Sequence, residues 1–210
     1  MTRALIFDFD GVICQTETFK LDQLAAYYKD LGLFADPRRL YLLAGGTFME
    51  KEAILDRIFD GQPRYQEVKE LVMNYKGTPF PYKKLLTPGI ADTLEAVKGE
   101  QIPMAVASNS QRKRLRTALG ECGILPYFTY TESAFDLGKR KPDPLVYTYT
   151  MKKFGAAPED CVIVEDSALG IKAGKAAGAL VVALRDRDEA IDQSEADVII
   201  TRIEDILGCL

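Results

Sequence analysis

The 210-residue chain carries 47% hydrophobic and 28% charged residues with a net charge of −4, an ordinary balance for a soluble globular domain. Lys and Arg are scattered along it, which argues against a generic nucleic-acid or membrane surface, and no apolar run approaches the roughly 20 residues that span a bilayer. There is no histidine, so Ser-His-Asp, Cys-His and His-zinc chemistries are excluded. The four cysteines, Cys14, Cys122, Cys161 and Cys209, form no C-x-x-C pair and read as reduced thiols of a cytoplasmic protein.

Ala4 to Phe9 is a continuous apolar stretch interrupted by Asp8 and closed by Asp10-Gly11, which predicts a buried strand running into a loop. Residues 15–84 follow, with amphipathic stretches at Phe19 to Leu31, Arg38 to Leu43, Lys51 to Phe59 and Val68 to Tyr75 and no buried strand. They predict a helical insertion. From Gly89 onward the rhythm changes. Apolar runs at Ile102 to Ala107, Cys161 to Val164, Leu180 to Leu184 and Val198 to Ile200 alternate with helical patterns at Gly89 to Lys98, Gln111 to Leu119, Pro144 to Phe154 and Ala168 to Ala177. Runs apolar on both faces, alternating with helices, predict a doubly wound parallel sheet, α/β in class, with a small all-helical second domain. The domains are 1–14 with 85–210, and 15–84. Ligands of such sheets bind beyond the carboxyl ends of the strands.

Polar residues gather at those ends. Asp8 and Asp10 lie two apart just past the first strand, and an acid in an apolar strand is costly unless something positive faces it. Ser108-Asn109 closes the second strand and opens a helix, where backbone N–H groups can cradle an anion. Lys141 stands before Pro142 in a basic turn, and Glu165-Asp166 close the third apolar strand, offering oxygens to a hard cation. Taken singly, each has a plain structural reading: an Asp-Gly turn, a helix N-cap, a solvated basic turn, capping acids. Their order and shared position are specific. Gly170, Gly174 and Gly178 beside Lys175 lack phosphate-loop spacing, and are expected to allow a helix to pack closely on the sheet.

Asp8-Phe9-Asp10-Gly11-Val12, Ser108-Asn109, Lys141-Pro142 and Glu165-Asp166-Ser167-x-x-Gly170 together resemble the four motifs of the haloacid dehalogenase superfamily, and in particular its β-phosphoglucomutase-like phosphatases. The resemblance implies a nucleophile at Asp8 that becomes phosphorylated, and an acid–base at Asp10. It implies phosphoryl contacts from Ser108, Asn109 and Lys141, and Mg²⁺ held by Asp8, the Asp10 carbonyl and Asp166 with Glu165 in attendance. It makes the 15–84 insertion a cap and Gly46, Thr47 and Met49 substrate-reading positions. The mutase's cap histidine is absent, and Met49 stands where an arginine would grip a second phosphate. Cys14 and Gln15 replace its more usual acid and serine. The expectation is a monomeric Mg²⁺-dependent phosphatase of a small phosphorylated metabolite. The alternatives are a sugar-phosphate mutase and a non-catalytic binding or regulatory protein.

Overall fold

The computed structural model describes residues 2–40, 48–185 and 191–210; for residues 37, 38 and 48–50 it describes the backbone alone. Two compact units divide the chain, Met1–Gln15 with Pro81–Leu210, and Thr16–Phe80. Among the described residues no helix is long and apolar enough to cross a membrane.

The first unit is a six-stranded sheet, parallel throughout, in the order β3-β2-β1-β4-β5-β6. Its strands are β1 Ala4–Phe7, β2 Met104–Ser108, β3 Phe128–Ser133, β4 Cys161–Glu165, β5 Leu180–Leu184 and β6 Val198–Ile200. Alternation along β1 divides the core. Leu5 and Phe7 pack on one face with Ile90, Leu94, Leu115 and Leu119, while Ala4 and Ile6 pack on the other with Val146, Met151, Ile171 and Ala173. Parallel strands covered by helices on both faces must be apolar on both, which is why these runs were legible as strands.

β3 is the exception. Its sequence, Phe-Thr-Tyr-Thr-Glu-Ser, contains no apolar run, and the sequence pattern predicts five strands without it. As an edge strand it pairs with β2 alone, and its buried Glu132 is matched by Arg112 at 2.8 Å and Lys153 at 2.5 Å. Tertiary charge pairing here replaces the apolar signal.

The second unit is helical in its described residues: Thr16–Asp30, Pro37–Leu40, Phe48–Ile58 and Pro63–Asn74. Its own core gathers Leu21, Tyr28, Leu55, Phe59, Tyr65 and Val68. The rings of Tyr28 and Tyr65 each lie 5.1 Å from that of Phe59. Gly46 and Thr47 lie outside the described residues, as does the side chain of Met49.

Candidate active site

Strand register builds the site. Phe7 pairs with Val106 of β2 and Val164 of β4, so the next residues, Asp8, Ala107 and Glu165, come level at the carboxyl ends of three adjacent strands. Asp8 is fixed there by its own N–H, which donates to the Val164 carbonyl at 2.9 Å.

Lys141 spans all three strand ends. Its ammonium donates to Asp8 Oδ1 at 2.5 Å, Glu165 Oε1 at 2.6 Å and the Ala107 carbonyl at 2.9 Å. The residue is only 5% exposed, so the basic turn at 139–141 is not simply solvated. Lys139 does face water, paired with Asp143. Asn109 helps to aim the lysine, since its side-chain oxygen accepts the Lys141 backbone N–H at 2.9 Å. Ser108 is buried at the end of β2, and its hydroxyl oxygen accepts from the Ser110 N–H at 3.2 Å.

Glu165 has few lone pairs to spare. Oε1 accepts from Lys141 and from the buried Tyr147 hydroxyl at 2.7 Å, and Oε2 from the backbone N–H groups of Asp166 and Ser167 and the Ser167 hydroxyl. A carboxylate offers about four lone-pair sites, so five donors saturate it. The Tyr147 ring also lies 4.7 Å beneath the Lys141 ammonium. Ser167 then caps the helix Ala168–Ala176 through the Gly170 N–H.

Two glycines make this crowding possible. A methyl on Gly11 would meet Asp166 Oδ2 at 1.8 Å, and the backbone there has φ +88°, where only glycine is at ease. At Gly170 a methyl would meet Glu165 Oε1 at 1.8 Å, so this glycine serves the site. Gly174 accounts for the close packing expected of the glycine series: a methyl there would sit 2.7 Å from Val181 Cγ2.

Asp10 faces a different cation. Arg114 grips its carboxylate with both arms, at 2.7 Å to Oδ1 and 2.9 Å to Oδ2, and the Ser110 hydroxyl donates to Oδ2 at 2.8 Å. No motif in the sequence marked Arg114 or Tyr147. Nor did it mark Gln193, whose side-chain amide donates to the carbonyls of Asp166 at 2.6 Å and Leu184 at 2.9 Å. An Arg four residues after Ser110 at a helix start was the one available signal for the first of these.

The charge balance of the cluster is unequal. Carboxylate oxygens of Asp8, Glu165 and Asp166 lie within 4.8 Å of one another. Burial pushes the Asp8 carboxyl up to about 8 even with Lys141 attached, and burial with the neighbouring Glu165 and Asp8 holds Asp166 well above the usual carboxylate range. Glu165 stays below that range: burial works against its charge, but Lys141, Tyr147 and Ser167 outweigh it. The Lys141 ammonium pairs with two of these three acids, Asp8 and Glu165, and the two acids that resist ionising, Asp8 and Asp166, are the two with oxygens to spare. A hard divalent cation, which takes carboxylate oxygens, fits this donor set.

The family model of haloacid dehalogenase-like hydrolases matches residues 2–178. The phosphoglycolate phosphatase of Aquifex aeolicus is 30% identical over 84% of this chain and 81% of its own length. The phosphorylated carbohydrates phosphatase of Thermotoga maritima is 28% identical over 83% and 81%. Among solved structures, a haloacid dehalogenase family hydrolase from Deinococcus radiodurans, with bound phosphate and sodium, superposes with a TM-score of 0.80 at 28% identity, covering 99% of this chain and 94% of that one.

Proposed function

The chain belongs to the haloacid dehalogenase-like hydrolases, and from that premise we propose that it is a phosphatase of small phosphorylated metabolites, with Asp8 as nucleophile and Asp10 as acid–base. The observation that carries this reading is the buried cluster at the ends of β1, β2 and β4, where Lys141 joins Asp8 to Glu165 and Asp166 crowds the same two acids.

In the first half-reaction an Asp8 oxygen bonds to phosphorus as the ester oxygen leaves, and Asp10 gives that oxygen its proton. In the second, Asp10 takes a proton from water as the water oxygen bonds to phosphorus. The Asp8–phosphorus bond breaks, inorganic phosphate leaves and Asp8 is restored. An anionic nucleophile beside a phosphate meets repulsion of about 4 kcal/mol per unit-charge pair at about 4 Å and an effective dielectric near 20. Lys141, already at Asp8, offsets part of it, and Ser108 lies at the adjoining strand end to bind phosphoryl oxygens. Asn109 contributes by aiming Lys141. Asp8 and Asp166, with the Asp10 carbonyl, are the groups that would hold Mg²⁺, while the saturated Glu165 positions Lys141. Bound there, Mg²⁺ supplies charge neutralisation and in-line alignment for phosphoryl transfer. The helical unit, inserted in the chain after the first motif, is read as the cap that selects among substrates.

The test is phosphate release by the purified protein from p-nitrophenyl phosphate and a panel of phosphorylated metabolites. EDTA should abolish it, Mg²⁺ should restore it, and Ca²⁺ should restore it poorly because its larger, looser shell misplaces Asp8. Full turnover in metal-free buffer overturns the metal assignment.

A further inference from the structure

If Asp10 is the acid–base, its carboxyl group must meet the leaving oxygen while protonated and then, as the carboxylate, the attacking water in a fixed orientation. Its place in a loop past β1 does not by itself provide one. The fork of Arg114 does: two parallel hydrogen bonds at 2.7 and 2.9 Å define the plane of the carboxylate, as only a guanidinium can. The Ser110 hydroxyl, at 2.8 Å, fixes Oδ2 a second time.

The fork is itself held. Arg114 Nε donates to the Tyr82 hydroxyl at 3.2 Å, and the guanidinium lies 5.6 Å from the centre of the Phe9 ring. Phe9 is the residue between Asp8 and Asp10, wholly buried in the core. Ser110 and Arg114 stand four residues apart at the start of the helix Arg112–Glu121, so one helix end presents both groups to Asp10. The Asp10–Arg114 pair is partly exposed, with side chains 18% and 29% accessible, so the carboxylate is steadied without being sealed from reactants.

We propose that Arg114 is a positioning residue for Asp10, acting through the orientation of that carboxylate rather than on the phosphoryl group. The inference rests on the phosphatase reading above. It predicts a split between the two half-reactions on an activated substrate. Nitrophenolate leaves without needing a proton, so phosphorylation of Asp8 by p-nitrophenyl phosphate does not depend on how Asp10 is held. Hydrolysis of the phosphorylated enzyme does, because water must give up its proton there.

The experiment is rapid-mixing kinetics of the Mg²⁺-saturated enzyme with p-nitrophenyl phosphate, comparing wild type, Arg114→Met and Arg114→Lys, with circular dichroism as a check on folding. In Arg114→Met the first turnover should release nitrophenolate at the wild-type rate. Later turnovers should slow about 10–100-fold, within the range that misplacing a general base costs, so that a burst appears and phosphorylated Asp8 accumulates. Arg114→Lys, which keeps the charge but loses the fork, should recover only part of the loss. Equal slowing of first and later turnovers would overturn the proposal in favour of a purely structural role, and unchanged steady-state turnover would overturn it outright. A wild-type protein that releases no nitrophenolate sinks the phosphatase reading, and this inference falls with it.

Discussion

The two units bury polar groups in opposite ways. In the helical unit, tyrosines aside, Thr16 is the one buried polar side chain among the described residues, and ion pairs such as Lys69–Asp56 and Arg64–Glu67 lie in water. In the α/β unit Asp8, Lys141 and Glu165 are all buried, joined in one cluster with an excess of acid. Exposed pairs contribute little because water screens them; buried charges cost desolvation and keep strong fields. The helical unit is organised for stability, and the sheet end accepts an unfavourable charge distribution where chemistry needs it.

The comparison is broken most completely at Asp8. Asp8→Asn should remove turnover entirely, since an amide of nearly the same shape is a poor nucleophile, yet leave the fold intact or firmer because a buried acid is gone. Phosphate-release assays with a thermal melt read both effects, and labelled phosphate should be trapped on wild type and not on this variant. A label on another residue would move the nucleophile. On the other side, Phe59→Ala should cost about 3–5 kcal/mol by opening a cavity between Tyr28 and Tyr65. Denaturant unfolding followed by hydrogen exchange should place that loss in residues 16–80, with Asp8 still competent to be phosphorylated.

A subtler test uses pH. A carboxyl raised to about 8 in the folded state and near 3.8 when unfolded binds more protons folded than unfolded between those values. Stability of the metal-free protein should therefore fall as pH rises through that window. On the proposed metal assignment Mg²⁺ would compete with protons at the same oxygens, so its stabilisation should be larger at pH 8 than at pH 5, and Asp8→Asn should flatten both trends. Melting curves with and without Mg²⁺ decide it; a metal-free protein that firms as pH rises from 5 to 8 contradicts the charge assignment. The smallest effect belongs to the helical surface, where Glu67→Gln should leave the unfolding midpoint within experimental scatter.

Much of this was legible in the residues alone. The two-faced apolar runs declared a covered parallel sheet, and Asp8, Ser108, Lys141 and Glu165-Asp166 each followed or adjoined a predicted element at the end where such sheets bind ligands. Periodicity recovers elements of that kind because burial on one or both faces writes itself into local spacing. β3 escaped because its buried positions are held by Thr131, Glu132 and Ser133 rather than by an apolar run, and its Glu132 is balanced by side chains that become neighbours only on folding. The same reason hid Arg114 from Asp10, 104 positions away, and Tyr147 from Glu165. Parallel strands are joined by long crossovers, so the groups that meet at their ends come from remote segments whose own patterns are those of ordinary helices. Sequence determined which acids stand at the strand ends; only the tertiary register decided which cation each would face, and therefore that Lys141 lies between Asp8 and Glu165 while Arg114 holds Asp10.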